Sequence, residues 1–346
     1  MIDAHFSRAI HGSVSRWMHD NPLEFCLSAL NNPVELGATL LPAIVTALED
    51  VNISLYDVQR IAWSNPLIHL RAVFDVHELP ETPTAFIPVP DVATTVAARA
   101  CAVACLAALN SDTISYGSEN EGYLFVNLVV LPGDDDFADK SKADMRGHTD
   151  GVTFPLRGQL HEFDKRVAPS PDFVCLSGLR NPDEIITTVM PLSAVLQQLT
   201  CDEITELTKP QYVIRPQKTF KRGLRTLFGK DSPLLDAMAG IQLLFEGDDG
   251  YWIRYSHSAG DADYDSKLAS QAIKRFEQAC LECSTSVVIE PGDLLVVNNR
   301  VGLHGRGMVG GEVGGNSRWL LRTYGLDTQG LTPEQRYDGS AFKLFP

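Results

Sequence analysis

The sequence contains no long hydrophobic run. None of its apolar stretches reaches the roughly 18 residues that a membrane-spanning helix needs, and its first residues lack the basic and then apolar pattern of a signal peptide. We also find no internal repeat and no low-complexity tract. With 44% hydrophobic and 21% charged residues, the composition is that of a globular protein. We therefore expect a cytoplasmic protein that has no membrane partner.

Basic residues are comparatively few. The chain has 29 Lys and Arg against 44 Asp and Glu, which gives a formal net charge of −15. Such a surface repels the phosphates of nucleic acids, so we expect no nucleic-acid partner. The acidity is compatible with a cationic small-molecule substrate, but it is equally explained by solubility alone.

Cysteines do not form a recognisable metal or disulfide pattern. Their number, seven, is odd, which in a protein that is not secreted indicates free thiols. Cys280 and Cys283 form a single C-x-x-C pair within a helical pattern, with no second pair at the spacing of a zinc site. We interpret the pair as structural.

The character of the sequence changes near residue 110. Apolar residues at spacings of three and four predict helices over residues 22–30, 33–48 and 93–110. Later segments alternate or are uniformly apolar over short stretches, as strands do, and are separated by turns. Strands are predicted over residues 123–131, 172–177, 251–255, 286–290, 294–298 and 317–326. Between them we predict a polar loop over 133–147, a short helix over 192–199, mixed strand and loop over 212–245, and a helix over 266–283.

This order predicts a mixed α/β fold with a β-rich core, namely a jelly roll wrapped by helices. We expect one domain over residues 1–346. Within it, residues 1–110 form a mainly helical N-terminal part and residues 111–330 form the jelly-roll core. An inserted, lid-like region is expected at about residues 200–285.

Two distant fragments suggest a metal site. His148 and Asp150 are two residues apart, so on an extended strand both side chains would project from one face, with Thr149 pointing the other way. His304 follows a pattern of two strands around the tight turn 291–293. Two histidines and one carboxylate match the facial triad of non-haem iron(II) oxygenases, which leaves coordination positions open for chemistry.

Two arginines follow the third candidate ligand. Arg318 and Arg322 lie 14 and 18 residues after His304, and their even separation places both on the same side of one strand. A guanidinium group binds a carboxylate through two parallel hydrogen bonds. The pair therefore indicates a site for a carboxylate ligand.

In these motifs the chain resembles the iron(II)/2-oxoglutarate oxygenases of the taurine dioxygenase and clavaminate synthase-like group. The matching pieces are His148-Thr-Asp150-Gly, the Pro-Gly-Asp-Leu turn with the segment that ends in His304-Gly-Arg, and Arg318-Trp-Leu-Leu-Arg322. The resemblance covers roughly residues 115–330. Many clavaminate synthase-like members have Glu where this chain has Asp150, and either carboxylate can bind iron.

The resemblance implies a double-stranded β-helix in which His148, Asp150 and His304 hold Fe(II). It implies that Arg318 binds the distal carboxylate of 2-oxoglutarate, helped by Thr187 or its neighbour Thr188, and that Arg322 contacts the co-substrate or a substrate carboxylate. It also implies hydroxylation of an unactivated C–H bond of a small amino-acid-like substrate. Dioxygen is the second co-substrate, and succinate and carbon dioxide are released.

The sequence is compatible with two other functions. The same fold could instead perform desaturation, cyclisation or epoxidation in a natural-product pathway, and a cupin-like protein could bind a metal or ligand without catalysis. Candidate groups for a cationic part of the substrate are acidic residues of three segments: Glu119 and Glu121; Asp134, Asp135 and Asp136; and Asp261, Asp263 and Asp265. The oligomeric state is not indicated.

One further motif is interpreted as structural. Gly305 to Gly310 has the spacing G-x-G-x-x-G, but additional glycines follow, so no helix can begin there as a dinucleotide site requires. We predict a flexible hairpin loop between His304 and Arg318. The basic residues between Lys218 and Arg225 predict a lid or surface loop.

Overall fold

The computed structural model describes residues 2–247, 249–262 and 266–346. The helices are α1 (Ile2–Asp20), α2 (Leu23–Ala29), α3 (Pro33–Glu49), α4 (Leu55–Ser64), α5 (Ala93–Ala108), α6 (Asp136–Lys142), α7 (Leu192–Leu196), α8 (Cys201–Leu207), α9 (Lys218–Phe228) and α10 (Lys267–Glu282). Short 3-10 turns cover Asn120–Gly122, Pro233–Leu235, Pro333–Gln335 and Tyr337–Gly339. No helix of the described ranges is both long enough and apolar enough to cross a membrane.

The strands form two main sheets and two small ones. They are β1 (Leu67–Leu70), β2 (Asp112–Tyr116), β3 (Val126–Leu128), β4 (Met145–His148), β5 (Phe173–Arg180), β6 (Ile186–Pro191), β7 (Tyr212–Ile214), β8 (Met238–Ile241), β9 (Leu244–Gly247), β10 (Gly250–Ile253), β11 (Gly260–Ala262), β12 (Thr285–Val288), β13 (Leu294–Asn298), β14 (Gly302–Arg306), β15 (Trp319–Leu326) and β16 (Lys343–Leu344).

The large sheet has seven strands and the smaller main sheet has four. The former runs β1-β13-β5-β15-β2-β16, with β3 also paired to β15, and the latter runs β12-β6-β14-β4. Two accessory sheets, β11-β7-β8 and β10-β9, belong to the region between α8 and α10. Of the pairs described here, only β16 with β2 is parallel. The β-rich, antiparallel core predicted from the sequence is confirmed.

Three hydrophobic cores stack in layers because strand residues alternate between the two faces of a sheet. In β5, Phe173 and Cys175 face the N-terminal helices, whereas Val174 and Leu176 face the four-stranded sheet, where Val189 of β6 meets them. A third core lies beyond the four-stranded sheet and contains residues of α7, α10 and the accessory strands. The metal-ligand candidates are carried by the four-stranded sheet.

Two segments predicted as loops contain helices. The predicted polar loop 133–147 contains α6, which Asp135 caps by accepting hydrogen bonds from the backbone N–H groups of Phe137 and Ala138, at 3.0 and 2.8 Å. The basic stretch after residue 217 forms α9, which buries Phe220 and Leu224 one turn apart. Because basic residues surround these two apolar positions, the sequence shows no clear helical period, and the prediction of a loop was wrong there.

The predicted turns also connect differently. The turn 291–293 was expected within a pair of adjacent strands, but β12 pairs with β6 and β13 pairs with β1 and β5. Similarly, the glycine-rich segment after His304 links β14 to β15, which lie in different sheets. Neither segment is a hairpin. Both carry the chain from the four-stranded sheet to the seven-stranded sheet.

Other differences concern strand boundaries and elements that were not predicted individually, among them α4, α8 and β6. The apolar run 123–131 contributes only the three residues of β3, and β1 was not anticipated. The helices predicted over residues 33–48, 93–110, 192–199 and 266–283 correspond to α3, α5, α7 and α10. The region predicted at about residues 200–285 contains α8 to α10 and the accessory strands. The division of the chain into these parts stays a prediction.

Candidate metal centre and its cavity

His148 and His304 face each other across neighbouring strands. His148 is the last residue of β4, and its Cα is the register partner of His304 on β14. The centroids of the two imidazole rings are 4.4 Å apart. Both side chains are almost completely buried. The pairing of two antiparallel strands therefore brings together residues that are 156 positions apart in the sequence.

Asp150 completes the cluster from a turn and not from the strand. Since β4 ends at His148, the expected alternation along one strand does not apply. The chain instead turns, and Asp150 Oδ1 lies 3.6 Å from His148 Nε2 while Oδ2 lies 3.7 Å from His304 Nε2. Thr149 points away, as predicted, because its hydroxyl bonds to the backbone of Tyr255.

The backbone of Asp150 is clamped by Asn299. Asp150 N donates to Asn299 Oδ1 at 2.9 Å, and Asn299 Nδ2 donates back to Asp150 O at 3.0 Å. Gln217, at the start of α9, holds the residues on either side: its Oε1 accepts from Gly151 N and its Nε2 donates to Thr149 O. These contacts fix the turn that presents the carboxylate.

The three side chains have the protonation states that metal binding needs. Burial lowers the pKa of His148 and, together with the adjacent His148 ring, lowers that of His304 to about 3. Burial opposes ionisation of Asp150, but His304, His148 and Arg322 together hold its pKa below the ordinary value. His148 Nδ1 bonds to Arg146 O at 3.0 Å, which leaves Nε2 directed at the cluster. Neutral imidazoles and a carboxylate are the ligating forms.

The donor set fits iron(II). Ligand atoms of His148, Asp150 and His304 all lie within 4.8 Å of one another, and no other cluster of three such residues occurs in the described part of the chain. Two imidazoles and one carboxylate on one side of an ion leave its other positions free. The arrangement fits an ion that binds further ligands from the cavity.

A cavity opens directly over this cluster. Its walls include Arg318, Arg322 and Thr187 together with apolar residues such as Leu176 and Phe137. Thr188, the neighbour of Thr187, is not part of the wall. The geometry therefore favours Thr187 of the two threonines. Apart from Thr188, the candidate ligand and cofactor residues predicted from the sequence all line this cavity.

Arg318 is a buried cation without a counter-ion in the described residues. Only 4% of its surface is exposed, and its Nε has no hydrogen-bond partner there. Burial, with Arg306 nearby, lowers its pKa to about 9. A buried guanidinium without a partner is energetically costly, so its position in the cavity wall favours an anionic ligand.

Arg322, in contrast, is already paired. Its Nη2 lies 2.7 Å from Glu119 Oε2, and its guanidinium stacks over the ring of Tyr324 at 4.4 Å. Glu119 is buried, and burial raises its pKa although Arg322 opposes this effect. Its second oxygen, Oε1, has no partner among the described side chains and backbone groups.

Among the described residues, none of the acidic residues suggested for the substrate lines the cavity, and Glu119 lies behind Arg322. Asp135 caps α6, Asp136 lies 3.2 Å from Lys218 at the surface, and Asp261 pairs with Arg215. Glu121 is exposed. Asp134 is also exposed, and Asp263 and Asp265 lie outside the described residues. Sequence reasoning missed Asn299, Gln217 and Lys140, which the structure places at the site. Of these three residues, only Asn299 could have been found from the sequence, because it lies shortly before His304.

The chain is similar to known amino-acid oxygenases. No family model matches it. It is 25% identical over 313 residues to the L-lysine 3-hydroxylase of Catenulispora acidiphila, which covers 87% of this chain and 75% of that protein.

Solved structures of iron oxygenases share its fold. The non-haem iron oxygenase OrfP in complex with Fe, succinate and (3S)-hydroxy-L-Arg matches with a TM-score of 0.75 at 18% identity, covering 98% of this chain and 97% of that one. Asparagine oxygenase with Fe(II), 3-hydroxyasparagine and succinate matches with a TM-score of 0.69 at 21% identity, covering 89% and 90%. The predicted fold and the resemblance seen in the sequence are confirmed.

Proposed function

We propose that this chain, which has the fold of the clavaminate synthase-like iron oxygenases, is an iron(II)- and 2-oxoglutarate-dependent hydroxylase of a small amino acid. The observation that carries the proposal is the combination in one cavity of three ligating side chains and a buried, unpaired arginine. A metal-binding module without catalysis has no need of the second feature.

Each residue has a separate task. His148, Asp150 and His304 would hold the iron, and Asn299 and Gln217 would fix the turn that carries Asp150. When bound, iron and 2-oxoglutarate supply the oxidation: dioxygen gives one oxygen atom to succinate, as carbon dioxide leaves, and the other to the hydroxylated carbon.

Arg318 and Thr187 would bind the co-substrate. The buried guanidinium can form two charge-assisted hydrogen bonds to the distal carboxylate, and the hydroxyl of Thr187 can add a third. The apolar side chains of the wall exclude water, which strengthens these contacts. A co-substrate held in this way would have its keto acid end free to bind a metal held by His148, Asp150 and His304.

Glu119 and Arg322 suit the amino-acid part of the substrate. An amino acid carries an ammonium group and a carboxylate on one carbon, and this ion pair offers the complementary charges side by side. Arg322 lines the cavity and can donate to the carboxylate, while the buried negative charge of Glu119 behind it favours the ammonium group. The substrate could then bind while the ion pair between Arg322 and Glu119 stays in place.

The test is aerobic turnover with a set of amino acids. We expect substrate-dependent succinate release, and a product that has gained one oxygen atom and not lost two hydrogens. Arg318→Met should raise the KM for 2-oxoglutarate about 10- to 100-fold, because charge-assisted hydrogen bonds contribute about 1.5–3 kcal/mol. The exposed Arg16→Met is the matched control. No succinate with any amino acid, or an unchanged KM in Arg318→Met, would contradict the proposal.

A further inference from the structure

The wall of the cavity carries more positive than negative charge. Its cationic residues are Lys140, Arg306, Arg318 and Arg322. Asp150 is the one carboxylate of the described wall, and Glu119 lies behind Arg322. Two cations therefore remain after these two carboxylates are counted. This excess positive charge requires either negative charge from bound ligands or hydrogen bonds to neutral acceptors.

Three of the four cations have a partner or an assigned ligand. Arg322 pairs with Glu119, and Arg318 suits the distal carboxylate of 2-oxoglutarate. Arg306 donates from its Nη2 to two backbone carbonyl groups near the end of α6, Lys140 O at 3.0 Å and Ala143 O at 2.6 Å, although its buried Nε has no partner among the described groups. Lys140 is the cation that remains.

Lys140 has neither an ion pair nor a side-chain hydrogen bond within the described ranges, although it is largely enclosed. It lies in the same cavity wall as Asp150 and Arg322. Burial lowers its pKa, and the negative charges of Asp150 and Glu119 oppose this effect. It is not close enough to Asp150 to form a salt bridge. An acceptor between them would satisfy the ammonium group.

The helix that carries Lys140 is held in place from three sides. Besides the contacts with Arg306, Ser141 Oγ accepts a hydrogen bond from Leu131 N at 2.9 Å, and Val309 N donates to Lys142 O at 2.9 Å. Lys142 itself turns away and donates to Gly133 O. Lys140 is thus presented to the cavity by an anchored element, as a recognition residue requires.

We propose that Lys140 determines specificity and that the substrate is an amino acid whose side chain ends in a carboxylate. This inference rests on the proposed function. The side-chain carboxylate would pair with Lys140, while the α-carboxylate of the same amino acid contacts Arg322. The basic side chain of lysine or arginine would instead meet Lys140, because the described wall offers no carboxylate except Asp150, a candidate metal ligand. Like charges held together in this way repel each other.

The preference is therefore opposite to that suggested by two similar proteins. One of them is named for lysine, and the other is seen with arginine and its hydroxylated form. Of the acidic candidates for a basic side chain, Asp135, Asp136 and Asp261 are engaged elsewhere in the described structure, and Asp263 and Asp265 lie outside the described residues.

The experiment compares acidic, amide and basic amino acids. Wild-type enzyme, Lys140→Met and Lys140→Glu are assayed for succinate release with aspartate, glutamate and 2-aminoadipate, with asparagine and glutamine, and with ornithine, lysine and arginine. Lys142→Met, on the same helix but outside the cavity wall, is the matched control. Anaerobic titration with Fe(II) and 2-oxoglutarate, followed by the visible absorption of the complex, reports on co-substrate binding separately.

We expect an acidic amino acid to be the best substrate. Lys140→Met should lower kcat/KM for it about 10- to 100-fold, the loss expected for one charge-assisted hydrogen bond, while 2-oxoglutarate titrates as in wild type. Lys140→Glu should shift the preference to a basic amino acid. Lys142→Met should behave as wild type.

Other results overturn the inference. The inference is wrong if the wild-type enzyme prefers a basic or amide side chain, or if no acidic amino acid stimulates succinate release while the complex forms. It is also wrong if Lys140→Met has an unchanged kcat/KM or binds 2-oxoglutarate more weakly. Failure of the wild-type protein to form the complex at all would instead reject the proposed function, and this inference with it.

Discussion

Asn299 holds the carboxylate ligand without touching the metal. It exchanges two hydrogen bonds with the backbone of Asp150 and donates a third to Pro171 O. No other side chain in the described structure contacts both the N–H and the C=O of a candidate ligand. Its amide therefore sets the distance between Asp150 and the two imidazoles, and we regard it as a positioning residue.

We predict that Asn299→Ala lowers the affinity for Fe(II) about 10- to 100-fold, as loss of an outer-shell partner typically does. The reason is that Asp150 loses the two bonds that fix its backbone. Anaerobic iron titration measures the effect, and circular dichroism shows whether the variant is folded. The exposed Asn31→Ala is the control. A folded Asn299→Ala variant that binds iron as tightly as wild type contradicts this role.

Residue types and spacing were sufficient to predict which side chains meet in the cavity. His148, Asp150 and His304 were chosen as donors that suit iron, and Arg318 as a guanidinium that suits a carboxylate. Lys140 and Gln217 could not be found in this way. Their importance depends on which segment covers the cavity, and a lysine or glutamine in a polar segment gives no local sign of it.

At the scale of elements, the metal cluster depends on the pairing of β14 with β4. Gly305 follows His304 at the point where the register of this pair is irregular. A Cβ atom at Gly305 would lie 2.4 Å from Met145 O and 2.8 Å from Thr188 Oγ1. The close approach of β4 and β6 to β14 therefore requires glycine at this position.

Accordingly, Gly305→Ala should separate β14 from β4 and destabilise the protein by about 1–3 kcal/mol, the usual cost of overpacking. Iron binding should weaken as well, because His148 and His304 move apart. The urea concentration at the midpoint of unfolding measures the loss of stability. Gly311→Ala is the control, since a Cβ there meets nothing within 4 Å. Equal midpoints for the two variants would show that the strands tolerate the added group.

Elements with a clear period were predicted, and short elements at the site were not. α3, α5 and α10 have long apolar patterns that a single period describes. α6 has only seven residues, and α9 buries two side chains on a basic background. Strand pairing could not be predicted, for a different reason. The turn 291–293 has residues that are typical of a hairpin turn, but the pairing partner of each strand depends on the surrounding sheets.

At the scale of the whole molecule, the N-terminal helices cover one face of the seven-stranded sheet. Trp63 of α4 packs edge-on against Phe173 of β5, with ring centroids 4.7 Å apart. Asn298 Nδ2, at the end of β13, donates to the last-turn carbonyls of α4, Ala62 O and Trp63 O. The helical part thus shares a core and polar contacts with the strands next to the site.

We therefore predict one cooperative unfolding transition for residues 1–346. Tryptophan fluorescence and far-ultraviolet circular dichroism should then report the same urea midpoint. The fluorescence follows both parts of the chain, because Trp17 and Trp63 lie in the helical part and Trp252 and Trp319 lie outside it. A separate early or late transition of the helices would instead identify residues 1–110 as an independent domain.

The central claim is that three converging side chains bind Fe(II) beside a site for 2-oxoglutarate, and the most direct measurement is the anaerobic visible spectrum with both present. We expect a weak charge-transfer band for wild type and for the exposed control His19→Ala, and its loss in His304→Ala. No band in wild type, or an unchanged band in folded His304→Ala, would contradict iron binding by these side chains.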